Sequence, residues 1–158
     1  MAPERKPRDP AWEARIRDVF ARQTFMTAIG AKIAALSPGV CELELPFRAD
    51  LCQQHAYMHG GVIAAIADTS GGIAAATLMP AGAGVLTVEF KINLLAPAEG
   101  ECFRARGETV RAGRTLTVVE SEVSAEKGGA WRPVARMLAT IMCLEGKGAS
   151  SGQAKARP

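Results

Sequence analysis

Between Val85 and Leu95 the chain alternates, with Leu86, Val88, Phe90, Ile92 and Leu94 apolar and Thr87, Glu89, Lys91 and Asn93 polar. A period of two puts the two sets on opposite faces of a β-strand. The same pattern, shorter, runs from Val40 to Leu45, where Cys41, Leu43 and Leu45 oppose Glu42 and Glu44. Ser37-Pro38-Gly39 before it has the composition of a turn, and Ile29 to Leu36 is expected to be the other arm of a hairpin. Three further strands are expected at Glu101–Arg111, Thr115–Ser124 and Val134–Leu144, separated by Ala112-Gly113 and by Lys127-Gly128-Gly129. Phe47 to Met58 has no clear period and is expected to be irregular.

Two segments follow a helical rhythm instead. From Pro10 to Thr27, the residues Trp12, Ile16, Val19, Phe20 and Phe25 form one amphipathic face. From about residue 59 to 79 the chain is apolar but rich in Ala and poor in β-branched residues, which favours a long helix over a buried strand; Pro80 and Gly82 end it. Asp68, Thr69 and Ser70 interrupt that run, so it reads as a buried helix and not as a membrane span. The expected order is helix, hairpin, long helix and four strands in a meander. An antiparallel sheet of five to six strands with one apolar face can wrap the long helix, giving an α+β fold.

With 158 residues, the chain has room for one domain but is short for two, and we place that domain at residues 11–145. Residues 1–10 are charged and Pro-rich, and 146–158 carry no bulky apolar residue, so both are expected to be disordered tails. A net charge of +3, with Lys and Arg scattered among acids, argues against a nucleic-acid surface. Cys41, Cys52, Cys102 and Cys143 form no CxxC pair, which argues against a zinc site or a disulfide framework. MAPERKPRDP has no apolar core of a secretory signal or membrane anchor, so a cytoplasmic protein is expected.

Three features do not fit a plain core helix. Asp68 sits in an Ala/Ile run, where an unpaired carboxylate is costly; it is a surface residue, the partner of a basic group, or a catalytic acid. Gly71-Gly72 weakens the helix and is explained by close backbone approach of a strand or a second subunit. His59-Gly60-Gly61 lies at the helix start, where free backbone N–H groups can serve as a flexible cap or receive an oxygen atom. There is no GxSxG, and neither His55 nor His59 has an obvious nucleophile partner.

Taken together, the runs QQHAYMHGGVIAAIADTSGG, VLTVEFKINLLAPAEGE and RAGRTLTVVESEV resemble the hotdog-fold acyl-CoA thioesterases of the phenylacetate-degradation (PaaI-like) group, over about residues 28–145. The resemblance implies the hotdog fold, hydrolysis of an aryl or medium-chain acyl-CoA to free acid and CoA, a homodimer or dimer of dimers, and no metal or other cofactor. It also implies roles. The Gly60 N–H would meet the thioester carbonyl, Asp68 would act as general base or attacking carboxylate, Thr87 would position water, and Gln53 would supply the amide of the site. His59 and Gly61 would complete the substrate-binding loop. Arg104, Arg106, Arg111, Arg114 and Arg136 are candidates for the CoA phosphates.

One inference is independent of the resemblance. Eight helical steps separate Gly60 from Asp68, about 12 Å along the axis, too far for both to reach one thioester group. If both act, two chains must build the site. The rival readings are a hotdog enoyl-CoA hydratase or dehydratase working through His59, a non-catalytic acyl-CoA-binding module, and a purely structural oligomer. A regulator of DNA is disfavoured, because no DNA-reading segment accompanies the domain.

Overall fold

The computed structural model describes residues 5–146. Two short helices, α1 (Trp12–Ala21) and α2 (Thr24–Ile29), precede a hairpin of β1 (Lys32–Ser37) and β2 (Val40–Pro46). A single 3-10 turn (Ala49–Leu51) leads to the long α3 (Gly60–Ala76), followed by β3 (Gly84–Leu94), β4 (Cys102–Ala112), β5 (Leu116–Lys127) and β6 (Ala130–Leu144). All pairings are antiparallel, and the six strands form one sheet in the order β1-β2-β4-β5-β6-β3. This is the α+β hotdog architecture expected from the sequence, with the sheet wrapped around α3.

The core lies between that helix and the sheet. Ile63, Ile66, Ala67, Ile73 and Ala74 of α3 are buried with Leu43, Phe103, Val119, Val123 and Ile141 of the strands. Small residues allow the helix to come very close. A Cβ on Gly107 of β4 would lie 2.3 Å from the Ser70 carbonyl carbon, and one on Gly71 would lie 2.8 Å from Val119 Cγ2. Close approach within the chain therefore accounts for Gly71 but not for Gly72, which has nothing of its own chain within 4 Å of the same position.

Several elements depart from the sequence reading. The first helix is two: at Gln23 the backbone is extended (ψ 93°), and α2 starts anew at Thr24. Ile29 ends α2 instead of opening a strand, because Gly30 adopts the left-handed conformation (φ +84°) that closes the helix. The last four strands are not a meander, since β3 pairs with β6 and sits at the sheet edge. Gly128 and Gly129, both at positive φ, form the tight β5–β6 turn, which lets both strands extend further than expected.

Residues 5–10, assigned by composition to a tail, make specific contacts. Arg5 pairs with Glu108 (2.7 Å), Arg8 Nε donates to the Leu78 carbonyl (3.1 Å), and buried Asp9 pairs with Arg15 (2.7 Å). Arg15 in turn donates to the carbonyls of Ala76 (3.1 Å) and Met79 (3.2 Å), which ties the N-terminal segment to the chain at and just past the end of α3. The segments 1–4 and 147–158 lie outside the described residues.

Candidate active site

The chemistry-bearing residues fall on α3, the loop before it and the edge strand β3. His59 is the N-cap of α3, and its Nδ1 accepts the Gly61 N–H at 2.8 Å. This leaves both the Nδ1 of His59 and the Gly61 amide engaged. The Gly60 N–H, in contrast, has no acceptor among the described residues. It is one of the free donors of the first helical turn, at the positive end of the helix dipole.

Gln53 belongs to the turn before the helix. Its N–H donates to the Tyr57 carbonyl (2.9 Å), its carbonyl accepts from Ala56 (3.0 Å), and its side-chain oxygen accepts the His55 N–H. With the amide oxygen held in the turn, the NH2 group of Gln53 remains as a donor. Gln53 and Gly60 line one cavity of about 510 Å³ whose other walls include Tyr57, Ile63, Leu94 and Leu95. Leu94 stands so close that a Cβ on Gly60 would meet its Cδ1 at 3.0 Å.

Asp68 is half-buried, and Thr87 Oγ1 donates to its Oδ1 at 2.7 Å. That contact depends on a β-bulge. The β3–β6 register shifts between Thr87 and Glu89, so Thr87 pairs with Ile141 while Phe90 pairs with Ala139 and Ile92 with Met137. Residues paired across an antiparallel ladder share a face, and Ile141 is a fully buried core residue under α3. The strict alternation expected from the sequence would have sent Thr87 to the face opposite Phe90 and Ile92. The bulge at Val88 puts all three on the helix side. No cation pairs with Asp68 among the described residues; its partner is the hydroxyl, and its Oδ2 accepts no hydrogen bond there.

Each pair is thus local, but the structure does not bring the two pairs together in one chain. Asp68 and Thr87 do not line the cavity that holds Gln53 and Gly60. Both half-sites adjoin β3, whose outer edge carries no partner strand among the described residues and whose apolar side chains stand open: Leu86 is 58 % exposed, Val88 51 %, Phe90 45 % and Leu94 58 %. An unpaired apolar edge of this length is a template for another strand.

The sequence profile of the thioesterase superfamily matches residues 55–131, a stretch that holds Gly60, Asp68 and Thr87. A provisionally named esterase of Saccharolobus solfataricus is 34% identical over 108 residues, covering 68% of this chain and 76% of that protein. The chain belongs to the thioesterase superfamily. Among solved structures, a thioesterase family protein from Silicibacter pomeroyi is 47% identical and superposes with a TM-score of 0.83, covering 84% of this thioesterase and 98% of that chain. The E. coli PaaI protein from the phenylacetic acid degradation operon, at 17% identity and TM-score 0.74 over 85% of this chain and 94% of its own, shares the fold.

Sequence reasoning alone missed Leu94 beside Gly60 and Gly107 beneath Ser70. Gly107 carried a usable signal, because a glycine inside a strand often marks the approach of another backbone. Leu94 carried none, since nothing in an alternating strand says which side chain closes over a loop. Among the described residues no helix is long and apolar enough to cross a membrane.

Proposed function

We propose that this thioesterase hydrolyses acyl-CoA at a site shared by two subunits, with Asp68 and Thr87 from one and Gly60 and Gln53 from the other. The observation that carries the reading is the 2.7 Å hydrogen bond that holds Asp68 to Thr87 on the helix side of an open, apolar edge strand. Pairing of β3 with its copy across a two-fold axis covers that edge and gives each carboxylate a donor half-site from the opposite chain.

The residues divide the work. The thioester carbonyl lies at the N-terminus of α3, where the Gly60 N–H and the Gln53 NH2 group receive the negative charge that develops on oxygen. Thr87 fixes Oδ1 of Asp68, and Oδ2 takes a proton from water as the water oxygen bonds to the carbonyl carbon. The tetrahedral intermediate then expels the CoA thiolate, which recovers the proton from Asp68. Direct attack by Asp68 would instead form an anhydride that water resolves, and the same residues serve both routes. The largely apolar cavity of about 510 Å³ beside Gly60 supports an aryl or medium-chain acyl group. We place this reaction in the cytoplasm.

A hydratase working through His59 has less support. The Nδ1 of His59 is occupied as the helix cap, and its ring has no carboxylate partner among the described residues. CoA release from a panel of acyl-CoAs, measured beside hydration of enoyl-CoAs, tests the reading. CoA release that is lost in Asp68→Asn, with no hydration, is expected; hydration without CoA release overturns it.

A further inference from the structure

At the opposite end of α3, beyond Asp68 by a further two turns or about 12 Å along the axis, lies a cleft of about 600 Å³ between the N-terminal segment and the β4–β5 hairpin. Its charge is one-sided. Arg5, Lys6 and Arg8 line it from the segment before α1, Arg111 and Arg114 line it from the hairpin, and among the described residues no carboxylate lines it. Of these five, Arg5 alone has a carboxylate partner among the described residues, Glu108. Arg8 is tied to the Leu78 carbonyl, which fixes the segment against the end of α3.

Like charges gathered in a concave surface repel one another and focus a positive potential, so such a cluster is most stable with a counter-charge bound. Two features indicate a shaped site and not an accidental gathering. The β4–β5 register shifts between Thr109 and Arg111, a bulge that interrupts the ladder just where the cleft begins. Thr109, a lining residue only 3% exposed, carries the one buried side-chain polar atom without a hydrogen-bond partner among the described residues. A buried hydroxyl left unpaired is costly; this one is closed to solvent, so an anion's oxygen becomes its partner only when the wall of the cleft opens slightly around the ligand.

We propose that this cleft is a binding site for a phosphorylated ligand with two or more negative charges, separate from the half-sites at Gly60 and Asp68. Guanidinium groups match phosphate oxygens in geometry as well as charge. Two sources share that chemistry: the phosphates of a CoA substrate, and an independent phosphorylated metabolite.

The test uses the full chain and its Arg111→Glu/Arg114→Glu variant, both positions being exposed on the hairpin. Inorganic pyrophosphate and CoA are titrated calorimetrically at low and high salt, and KM is measured for an acyl-CoA and for the same acyl thioester of pantetheine, which has no phosphates. The expected result is pyrophosphate or CoA binding that weakens with salt and falls by about tenfold or more in the variant, from the loss of charge-assisted hydrogen bonds. If CoA supplies the phosphates, KM for the acyl-CoA rises by a similar factor while that for the pantetheine thioester stays constant. If an independent metabolite does, pyrophosphate binding falls and both KM values stay constant. Equal binding of pyrophosphate and CoA by both proteins, or none at millimolar concentration, overturns the proposal. The titrations need no turnover, so they stand even if thioester hydrolysis itself is refuted.

Discussion

Alanine substitution at three glycines should produce effects that differ in sign as well as size. Gly72 has nothing within 4 Å of an added Cβ, so Gly72→Ala only removes backbone freedom from a helix and should stabilise by about 0.5–1 kcal/mol. Gly71→Ala gains the same helix preference but pushes against Val119 Cγ2 at 2.8 Å and Ser121 Oγ at 2.9 Å. Val119 is stiff at χ1, and Ser121 Oγ accepts from Ser70, so neither yields freely; a net loss of about 1–2 kcal/mol is expected. Gly107→Ala meets main chain: the Ser70 carbonyl carbon at 2.3 Å and the Gly71 nitrogen at 2.4 Å. Backbone cannot rotate away, so α3 must lift off the sheet, at a cost near or above the upper end of ordinary overpacking, about 3 kcal/mol. Urea denaturation at one protein concentration checks this, because an association equilibrium would otherwise shift the midpoints. With a slope of about 2 kcal/mol per M, Gly72→Ala moves the midpoint up by a few tenths of a molar and Gly107→Ala down by roughly 1.5 M. A Gly107→Ala midpoint equal to wild type, or below it by less than that of Gly71→Ala, would refute the packing account.

The other expectations are simpler. Asp68→Asn should keep the wild-type melting temperature within a few degrees while kcat falls by about three orders of magnitude or more, since an amide can neither take a proton nor attack; near-normal turnover by the folded variant removes Asp68 from the mechanism. Thr87→Ala frees one carboxylate oxygen without removing it, so its loss in kcat should be smaller, about 10- to 100-fold, and an equal or larger loss would reverse the roles. The Asp9 carboxyl is held below the ordinary carboxylate range by the Arg15 guanidinium and the Ala11 N–H. Because its folded pKa is depressed, its stabilisation is present above the unfolded value and is lost as pH falls through the folded one. The stability difference between wild type and Asp9→Asn should therefore be constant near neutrality and shrink as pH falls below about 4; a difference that grows towards acid would contradict the pairing.

The elements that the sequence made legible were those set by local rules. Ala-rich composition between two glycines and a proline marked α3, and turn residues marked the three hairpins. What stayed hidden depended on partners distant in sequence. The pairing of β3 with β6, not β4, is a matter of tertiary packing that a run of alternating residues cannot encode. The bulge at Val88 was equally invisible, although it decides the face on which Thr87 lies. Residues 5–9 looked like a tail because charged residues rarely drive burial, yet Asp9 and Arg15 satisfy each other and tie the segment to the end of α3. At the candidate site, Asp68 and the HGG triplet were conspicuous because each breaks the logic of a core helix. Thr87 became a site residue only through the resemblance, and its contact with Asp68 only through the fold.

Subunit complementation tests the shared site most directly. Asp68→Ala removes the carboxylate, and Gln53→Ala removes a donor from the half-site of Gly60. The two variants are unfolded, mixed in equal amounts and refolded together, and mixed dimers are verified by a mass tag on one chain. With random pairing, about half the dimers are mixed, and each mixed dimer holds one intact and one doubly damaged site. Activity should recover to about a quarter of wild type although neither parent is active. Activity no greater than that of the two parents together, with mixed dimers present, would contradict a site built from two chains.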